Sequence, residues 1–202
     1  MDRSDEELLS AYRDGDHQAF AELVDRHAPK LLGYLSRLVG NAHDAEELFQ
    51  ETFVRVIARV HTFDHGRKFR PWLYAIASNL AIDEHRRDER RPKTISMHPQ
   101  QEPTTENVTA PLQVADGSPN PAEAMALAER KRRIHAAVTD LPPRQRATLI
   151  LAYFEGLSYP QVAEVMDCSV GTVKTQMSRA LQTLARTLPE PDTGWRPAGG
   201  NE

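Results

Sequence analysis

A cluster of cations and aromatic rings opens the segment 67–87, whose sequence is RKFRPWLYAIASNLAIDEHRR. Guanidinium and ammonium groups bind phosphates, and flat aromatic faces stack on unpaired bases. A buried helix would explain the rings alone, and a solvent-exposed helix would explain the charges alone. The combination is typical of a surface that contacts nucleic acid. Its members are Arg67, Lys68, Phe69, Arg70, Trp72 and Tyr74.

A second polar cluster lies in the segment 157–188, LSYPQVAEVMDCSVGTVKTQMSRALQTLARTL. Ser158 and Gln161 have the spacing of a capping box, and Ser169 follows a short turn and is placed to cap another helix. The pattern looks like a helix-turn-helix, in which the second helix enters a DNA groove. An ordinary helical hairpin with a polar outer face is the alternative. The hydroxyls and cations of the outer face are Thr172, Lys174, Thr175, Ser178 and Arg179.

Helical periodicity extends over the rest of the N-terminal segment. Ser4 and Glu7 predict a capped first helix, and Asp16 predicts the cap of a second, in which Pro29 predicts a kink or a break. A third helix starts near Asp44, and a fourth runs from about Pro71 to Arg87. The apolar stripe predicted to be buried on the third helix comprises Ala45, Leu48, Phe49, Thr52, Phe53, Val56, Ile57 and Val60.

Two small helical domains joined by a flexible linker are therefore expected, in an all-α fold whose second domain contains the helix-turn-helix. We place the first domain at 1–91 and an acidic, Pro-rich linker at 92–121, because that stretch has no helical period. The second domain covers 122–188, and a tail at 189–202 is predicted to be disordered. Trp195 in that tail could anchor a partner.

The charge distribution follows the same division. The chain has 202 residues and a net charge of −4, but residues 61–93 carry +3, residues 94–128 carry −4 and residues 129–188 carry +4. Two basic segments joined by an acidic one suggest two contacts with a polyanion. The N-terminus does not read as a signal peptide, no apolar run predicts a membrane span, and the single cysteine, Cys168, fits a reducing compartment. A cytoplasmic location is expected.

Three segments in order resemble one family. They are DAEELFQETFVRV at 44–56, FRPWLYAIASNLAIDEHRR at 69–87 and LPPRQRATLILAYFEGLSYPQVAEVMDCSVGTVKTQMSRAL at 141–181. Together they resemble the extracytoplasmic-function (ECF) group of bacterial RNA polymerase sigma factors, within the sigma-70 family. The resemblance covers about residues 4–188, and it implies a promoter-specificity subunit that directs transcription initiation.

The resemblance implies roles for individual residues. Glu47, Gln50 and Glu51 match the surface that docks on the clamp of the two largest core polymerase subunits, beta and beta-prime. A plain solvated acidic face is the alternative for these positions. The second domain would read the −35 promoter element through the polar face of its last helix, with phosphate contacts added by Arg144 and Arg146.

The segment that follows the docking helix matches the reader of the −10 element. Its loop would hold a base flipped out of the duplex, and the Asn79 carboxamide would read that base. Trp72 and Tyr74 fit the helical core better than a stacking platform. The expected −10 contacts are Asp64, His65, Arg67, Lys68, Phe69, Arg70 and Asn79.

Other classes of function are less consistent with the sequence. No catalytic motif is present, so neither an enzyme nor a cofactor is expected. His61 and His65 are four residues apart but lack a third ligand nearby, so no metal site is expected. A free-standing helix-turn-helix regulator would leave the Gln50–Glu51 face unused, and a protein-only adaptor would leave Lys174 and Arg179 unused. The resemblance also implies an anti-sigma factor as a partner.

Overall fold

Helices form all regular structure in the part of the chain that this computed structural model describes, which is residues 3–64, 66–90 and 121–188. The N-terminal half contains α1 (Asp5–Arg13), α2 (His17–Val39), α3 (Ala42–Arg59), a 3₁₀ turn (Val60–Thr62) and α4 (Phe69–Arg90). The C-terminal half contains α5 (Pro121–Thr139), α6 (Pro143–Tyr153), α7 (Tyr159–Val165) and α8 (Val170–Thr187). The predicted all-α class is confirmed. Across these ranges, no helix is both long and apolar enough to span a bilayer.

Side-chain caps fix the helix starts that local sequence predicts. At α1, the Ser4 amide donates to the Glu7 carboxylate at 2.7 Å, and the Glu7 amide donates back to the Ser4 hydroxyl at 3.2 Å. The Asp16 carboxylate accepts from two amides in the first turn of α2. Ser158 and Gln161 form the same reciprocal box at α7. Each cap satisfies amides that a helix start otherwise leaves without a partner.

The helix is not broken at Pro29, because α2 continues from His17 to Val39. Proline removes the amide that would bond to the carbonyl of Asp25. Both Pro29 and Asp25 lie on the exposed side of α2, where solvent can satisfy that carbonyl. The helix ends at Gly40, whose φ of 84° is in the left-handed region that favours glycine.

The prediction that Ile57 is buried is wrong. Its side chain is 44% exposed, and the neighbouring Val54 is 58% exposed. The inner stripe of α3 is already complete with Leu48, Phe53 and Val56, which are buried against α2 and α4. An α-helix buries only part of its circumference, so apolar side chains beyond that arc remain in solvent.

The two halves pack directly on each other. Helices α6 and α7 contact α2 and α4, and the buried apolar residues of both halves belong to one cluster. A cavity of about 100 Å³ between the halves is lined by both apolar and ionisable side chains, including Asp44, His85 and Arg146. The contact between the halves is therefore extensive but incompletely filled.

Candidate nucleic-acid interface

Helix α8 presents the predicted groove-reading face to solvent. Val173, Met177 and Ala180 are buried and fix the orientation of the helix. This anchoring turns the opposite side outward, and all five predicted residues there are exposed: Thr172, Lys174, Thr175, Ser178 and Arg179. Among the described residues, Lys174 and Arg179 pair with no carboxylate, so both cations are available to a phosphate.

The turn before α8 is tight. Asp167 has a φ of 48°, in the left-handed region, and the Ser169 hydroxyl then caps α8 by accepting from the Thr172 amide at 3.1 Å. Burial raises the pKa of the Cys168 thiol, and the nearby Arg144 guanidinium opposes that shift. Arg144 is exposed in the first turn of α6. The two observations place an accessible cation beside the turn that leads into α8.

Arg146 does not occupy the surface that was predicted for it. Its side chain is buried, and it donates to the carbonyl of Leu38 at 2.5 Å and to that of Leu141 at 3.0 Å. Burial lowers the pKa of Arg146, against the attraction of Asp140. The guanidinium therefore binds the C-terminal end of α2 to the start of α6. The prediction of an Arg146–phosphate contact is not supported.

The loop before α4 forms a turn around Asp64. The Asp64 carboxylate accepts from the Gly66 amide at 2.9 Å, and its carbonyl accepts from the Arg67 amide at 2.9 Å. Arg67 and Lys68 follow this turn and are exposed. His65, which belongs to the same prediction, lies outside the described residues. The loop thus presents two cations at the start of α4.

Phe69 is not available as a stacking platform in this structure. Its side chain is fully buried, and its ring lies 5.2 Å from the His27 ring and 6.0 Å from that of Trp72, between centroids. Its amide donates to the Glu6 carboxylate at 3.0 Å, which fixes the start of α4 against α1. The prediction that Phe69 contacts DNA is not supported, because the ring completes the core instead.

Two predicted DNA-contacting arginines are engaged by carboxylates of the C-terminal half. Arg70 donates to the carbonyl of Glu155 at 2.5 Å and lies 3.7 Å from its carboxylate. Arg67 lies 3.6 Å from the carboxylate of Glu164. The side chain of Arg70 is 34% exposed and that of Arg67 is 59% exposed. Arg70 is therefore the more fully engaged of the two.

Helix α4 has two different faces, and they separate the predicted −10 residues. Asn79 is nine positions after Arg70, which is about 2.5 helical turns and places the two on opposite sides. Arg70 and Tyr74 face the C-terminal half, with Tyr74 buried as predicted. Asn79 is exposed on the side that also carries the half-buried Trp72. The structure does not bring Arg70 and Asn79 into one site.

The outer surface of α3 is larger than the sequence predicts. Glu47 and Gln50 are exposed as expected, and Glu51 is half-buried beside Arg55, whose Nε lies 2.8 Å from it. Val54 and Ile57 are exposed and continue the same side of the helix, because positions 47, 50, 54 and 57 are separated by three, four and three residues. We call these five the α3 outer surface: Glu47, Gln50, Glu51, Val54 and Ile57. The apolar end of this surface could have been predicted from the sequence, because Val54 and Ile57 follow Gln50 at helical spacing.

Both halves of the chain match models of known protein families. The Sigma-70 region 2 model matches residues 23–91, which include α3 and α4, and the Sigma-70 region 4 model matches residues 131–184, which include the helix-turn-helix. The ECF RNA polymerase sigma factor SigW of Bacillus subtilis is 33% identical over 180 residues, covering 89% of this chain and 94% of the relative. The chain belongs to the ECF sigma factors.

Two solved structures share the fold of this chain. CnrH, solved with the cytosolic domain of CnrY, is 24% identical with a TM-score of 0.63 and covers 91% of this chain and 96% of CnrH. RpoE of Bartonella quintana, solved with the anti-sigma factor NepR, is 21% identical with a TM-score of 0.60 and covers 83% of this chain and 95% of RpoE. At these sequence identities, the similarity shows a shared fold.

Family membership confirms the predicted function at the level of the whole chain. This sigma factor is a promoter-specificity subunit of RNA polymerase. The described residues contain no group of three His, Cys, Asp or Glu side chains that could hold a metal ion. The candidate surfaces are α8 with Arg144, the loop before α4 with the face of α4 that carries Asn79, and the α3 outer surface.

Proposed function

We propose that this sigma factor docks on core RNA polymerase through the α3 outer surface and reads the −10 and −35 promoter elements with α4 and α8. The observation that carries this proposal is the exposed polar face of α8. Five hydroxyl and cationic side chains point away from a buried apolar seam directly after a helix-turn-helix turn. Such a face fits a major groove, and none of its five side chains belongs to the buried core.

At the −35 element, Lys174 and Arg179 supply charged donors to phosphates or guanine edges, and the threonine and serine hydroxyls supply neutral ones. Arg144 adds a phosphate contact beside the turn. A good base contact is worth about 1–3 kcal/mol of discrimination, whereas a phosphate contact adds affinity and salt dependence without sequence information. Lys174 and Arg179 therefore differ in expected role from Arg144.

At the −10 element, the loop of Asp64 and His65 with Arg67 and Lys68 receives the DNA strand. The Asn79 carboxamide, which is both donor and acceptor, reads the edge of an unpaired base. Arg70 lies on the other face of α4 and contacts the DNA backbone once it is released from the C-terminal half. Phe69 acts from within the core by fixing the start of α4.

The α3 outer surface meets the beta and beta-prime subunits of core polymerase. Its polar end, Glu47 to Glu51, supplies hydrogen bonds, and Val54 and Ile57 supply apolar contact area. Exposed apolar side chains beside a polar patch are typical of a protein–protein interface. Val54 and Ile57 do not belong to the apolar core of the described structure, which supports a partner at this place.

We further propose that this sigma factor has no catalytic activity, acts in the cytoplasm and is held inactive by an anti-sigma factor. The complex of the RpoE relative with NepR supports such a partner as a proposal for this chain. The predicted linker, apart from Pro121, and the tail with Trp195 lie outside the described residues.

Run-off transcription on a pool of genomic fragments tests the proposal. Core polymerase with this protein should produce new starts that core polymerase alone does not produce. Gln50→Ala with Glu51→Ala should abolish the starts through loss of docking, and Arg179→Ala should abolish them through loss of −35 recognition. Thr183→Ala, at a half-buried position of α8 away from the predicted reading face, is the matched control. DNA binding without polymerase and without new starts would favour a free-standing regulator.

A further inference from the structure

The hydroxyl groups on the exposed face of α8 are not equally available to a base. A hydroxyl has one proton to donate. Thr175 donates that proton to the carbonyl of Gly171 at 3.0 Å. Ser178, by contrast, accepts a bond from the Gln182 side-chain amide at 3.3 Å and keeps its own proton. Thr175 therefore offers a base an acceptor oxygen and a methyl group, whereas Ser178 offers a donor.

The bond to Gly171 also fixes the side chain of Thr175. A threonine in a helix divides between two rotamers, and a bond from its hydroxyl to the carbonyl four residues earlier selects one of them. The methyl group then keeps one direction relative to the helix axis. Donation of the hydroxyl proton to a base would first break this bond, whereas contact through the methyl group requires no change.

Thr175 lies at the centre of the exposed face. It is two residues from both Val173 and Met177, which are buried, and is therefore about 160° around the helix axis from each. It belongs to the second turn of α8, which begins at Val170. Residues near the start of a recognition helix are the ones that contact base edges. The position of Thr175 is thus that of a base-contacting residue.

Gly171 leaves an open space beside Thr175. The two residues are four apart, so they are neighbours on the surface of α8, and both are exposed. The backbone of Gly171 is not in the left-handed region, and among the described residues a Cβ there would meet the Ser169 hydroxyl oxygen at 3.6 Å, which is an ordinary contact. Neither conformation nor packing requires a glycine, although glycine is unfavourable in a helix. Close approach of a ligand is a further reason for a glycine.

From these observations we propose that Gly171 and Thr175 form a site for the methyl group of a thymine in the −35 element. Thymine is the DNA base that carries a methyl group in the major groove, and a threonine methyl group is a suitable contact for it. The inference rests on the proposed function for the −35 element and names one base that the element contains. It assigns Thr175 an apolar contact, whereas Ser178 keeps a neutral hydrogen bond.

Deoxyuridine tests this contact, because it pairs as thymidine does but lacks the methyl group. The promoter found by run-off transcription is prepared with each thymine of the −35 element replaced singly by deoxyuridine. Binding by core polymerase with the full chain is then measured by competition against the unmodified promoter. The parent protein should bind one of the substituted DNAs about fourfold more weakly, which is the effect of one buried methyl group.

Thr175→Ser removes the methyl group from the protein and keeps the hydroxyl. It should weaken binding to the thymine DNA by about fourfold, and it should bind the deoxyuridine DNA as well as the thymine DNA. Thr175→Val keeps a methyl group and removes the hydroxyl, so it should retain the fourfold difference between the two DNAs. Thr183→Ser makes the same change as Thr175→Ser at a half-buried position of α8. This matched control should show the parental affinity and the parental response to deoxyuridine.

Gly171→Ala tests the other wall of the site. It should not lower the urea midpoint, because alanine is the better helix former and the added Cβ meets an ordinary contact. It should weaken binding to the thymine DNA more than binding to the deoxyuridine DNA, since the added methyl group occupies the space that the thymine methyl group needs. Equal losses on the two DNAs would show that Gly171 does not adjoin the thymine methyl group and would overturn the site.

Three other results are decisive. Loss of affinity in Thr175→Val, with no effect of deoxyuridine at any −35 position, would show that the hydroxyl makes the contact and would reject the inference. A −35 element without thymine on either strand would also reject it, while the new starts would still confirm the sigma activity. Absence of new starts would reject the proposed function and this inference with it.

Discussion

Replacing Arg146 with methionine separates a structural role for this arginine from a DNA-binding one. The guanidinium donates to the carbonyls of Leu38 and Leu141, which belong to residues that are 4% and 1% exposed. Leu38 lies in the last turn of α2, where carbonyls lack helical partners and a cation is favoured. Methionine fills a similar volume but leaves both carbonyls without a donor.

The expected magnitude follows from these contacts. Two hydrogen bonds from a charged donor to neutral acceptors are worth about 1.5–3 kcal/mol each. The cost of burying the guanidinium, which lowers its pKa, offsets part of this sum. We expect Arg146→Met to lower the free energy of unfolding by about 2–4 kcal/mol. Urea denaturation followed by far-UV circular dichroism measures that change.

Arg144→Met is the matched comparison, because Arg144 is exposed two positions earlier on the same helix. It should leave the urea midpoint unchanged, weaken binding to promoter DNA and reduce the slope of log affinity against log salt by about 0.9. Arg146→Met should leave that slope unchanged once the folded fraction is taken into account. A stable Arg146→Met with a reduced salt slope would refute the structural role and restore the phosphate contact.

Other substitutions give independent tests. Val54→Asp with Ile57→Asp should weaken core polymerase binding by about tenfold or more at constant helix content, measured by fluorescence anisotropy, because both side chains are exposed. Leu151→Ala should lower the free energy of unfolding by about 2–5 kcal/mol in urea, because Leu151 is fully buried. Burial raises the pKa of the Tyr34 hydroxyl, so its stabilisation is present below about pH 10 and is lost as pH rises further. The free energy of unfolding, measured in urea at a series of pH values, should therefore fall less steeply at alkaline pH in Tyr34→Phe than in the parent. At neutral pH, Tyr34→Phe should lower that free energy by about 1 kcal/mol, because it removes a 2.7 Å hydrogen bond to Ser78.

Structural features that depend on residues close together in the sequence could be predicted from it. The capping boxes at Ser4 and Ser158 depend on residues three positions apart, and both are present. The exposed face of α8 follows from the three- and four-residue spacing of its apolar seam, which leaves one side to solvent. Local spacing is therefore sufficient to place the cations Lys174 and Arg179 on one surface.

Structural features that depend on residues far apart in the sequence could not be predicted in this way. Arg146 donates to Leu38 across 108 positions, and Tyr74 donates to Glu155 across 81. A basic residue in a basic segment gives no local sign that it will be buried against a carbonyl. Phe69 is a second example. An aromatic ring beside cations is typical of a DNA-binding surface, and only the packing of α1 and α2 shows that this ring is buried. Charge patterns predict exposure on average but not at a given position.

The two faces of α4 have different surroundings in the packed arrangement. Its Arg70 and Tyr74 face contacts Glu155, whereas the face that carries Asn79 remains exposed in the packed arrangement. The proposed base-reading carboxamide of Asn79 is thus exposed in this arrangement, whereas the proposed backbone-contacting cation Arg70 is engaged by Glu155. Half or more of the hydrogen bonds in protein–DNA complexes go to phosphate and sugar, and such contacts carry no sequence information. If Arg70 contacts the DNA backbone, Arg70→Gln should therefore lower the affinity for promoter DNA and leave the sequence preference in place, whereas Asn79→Ala should change that preference.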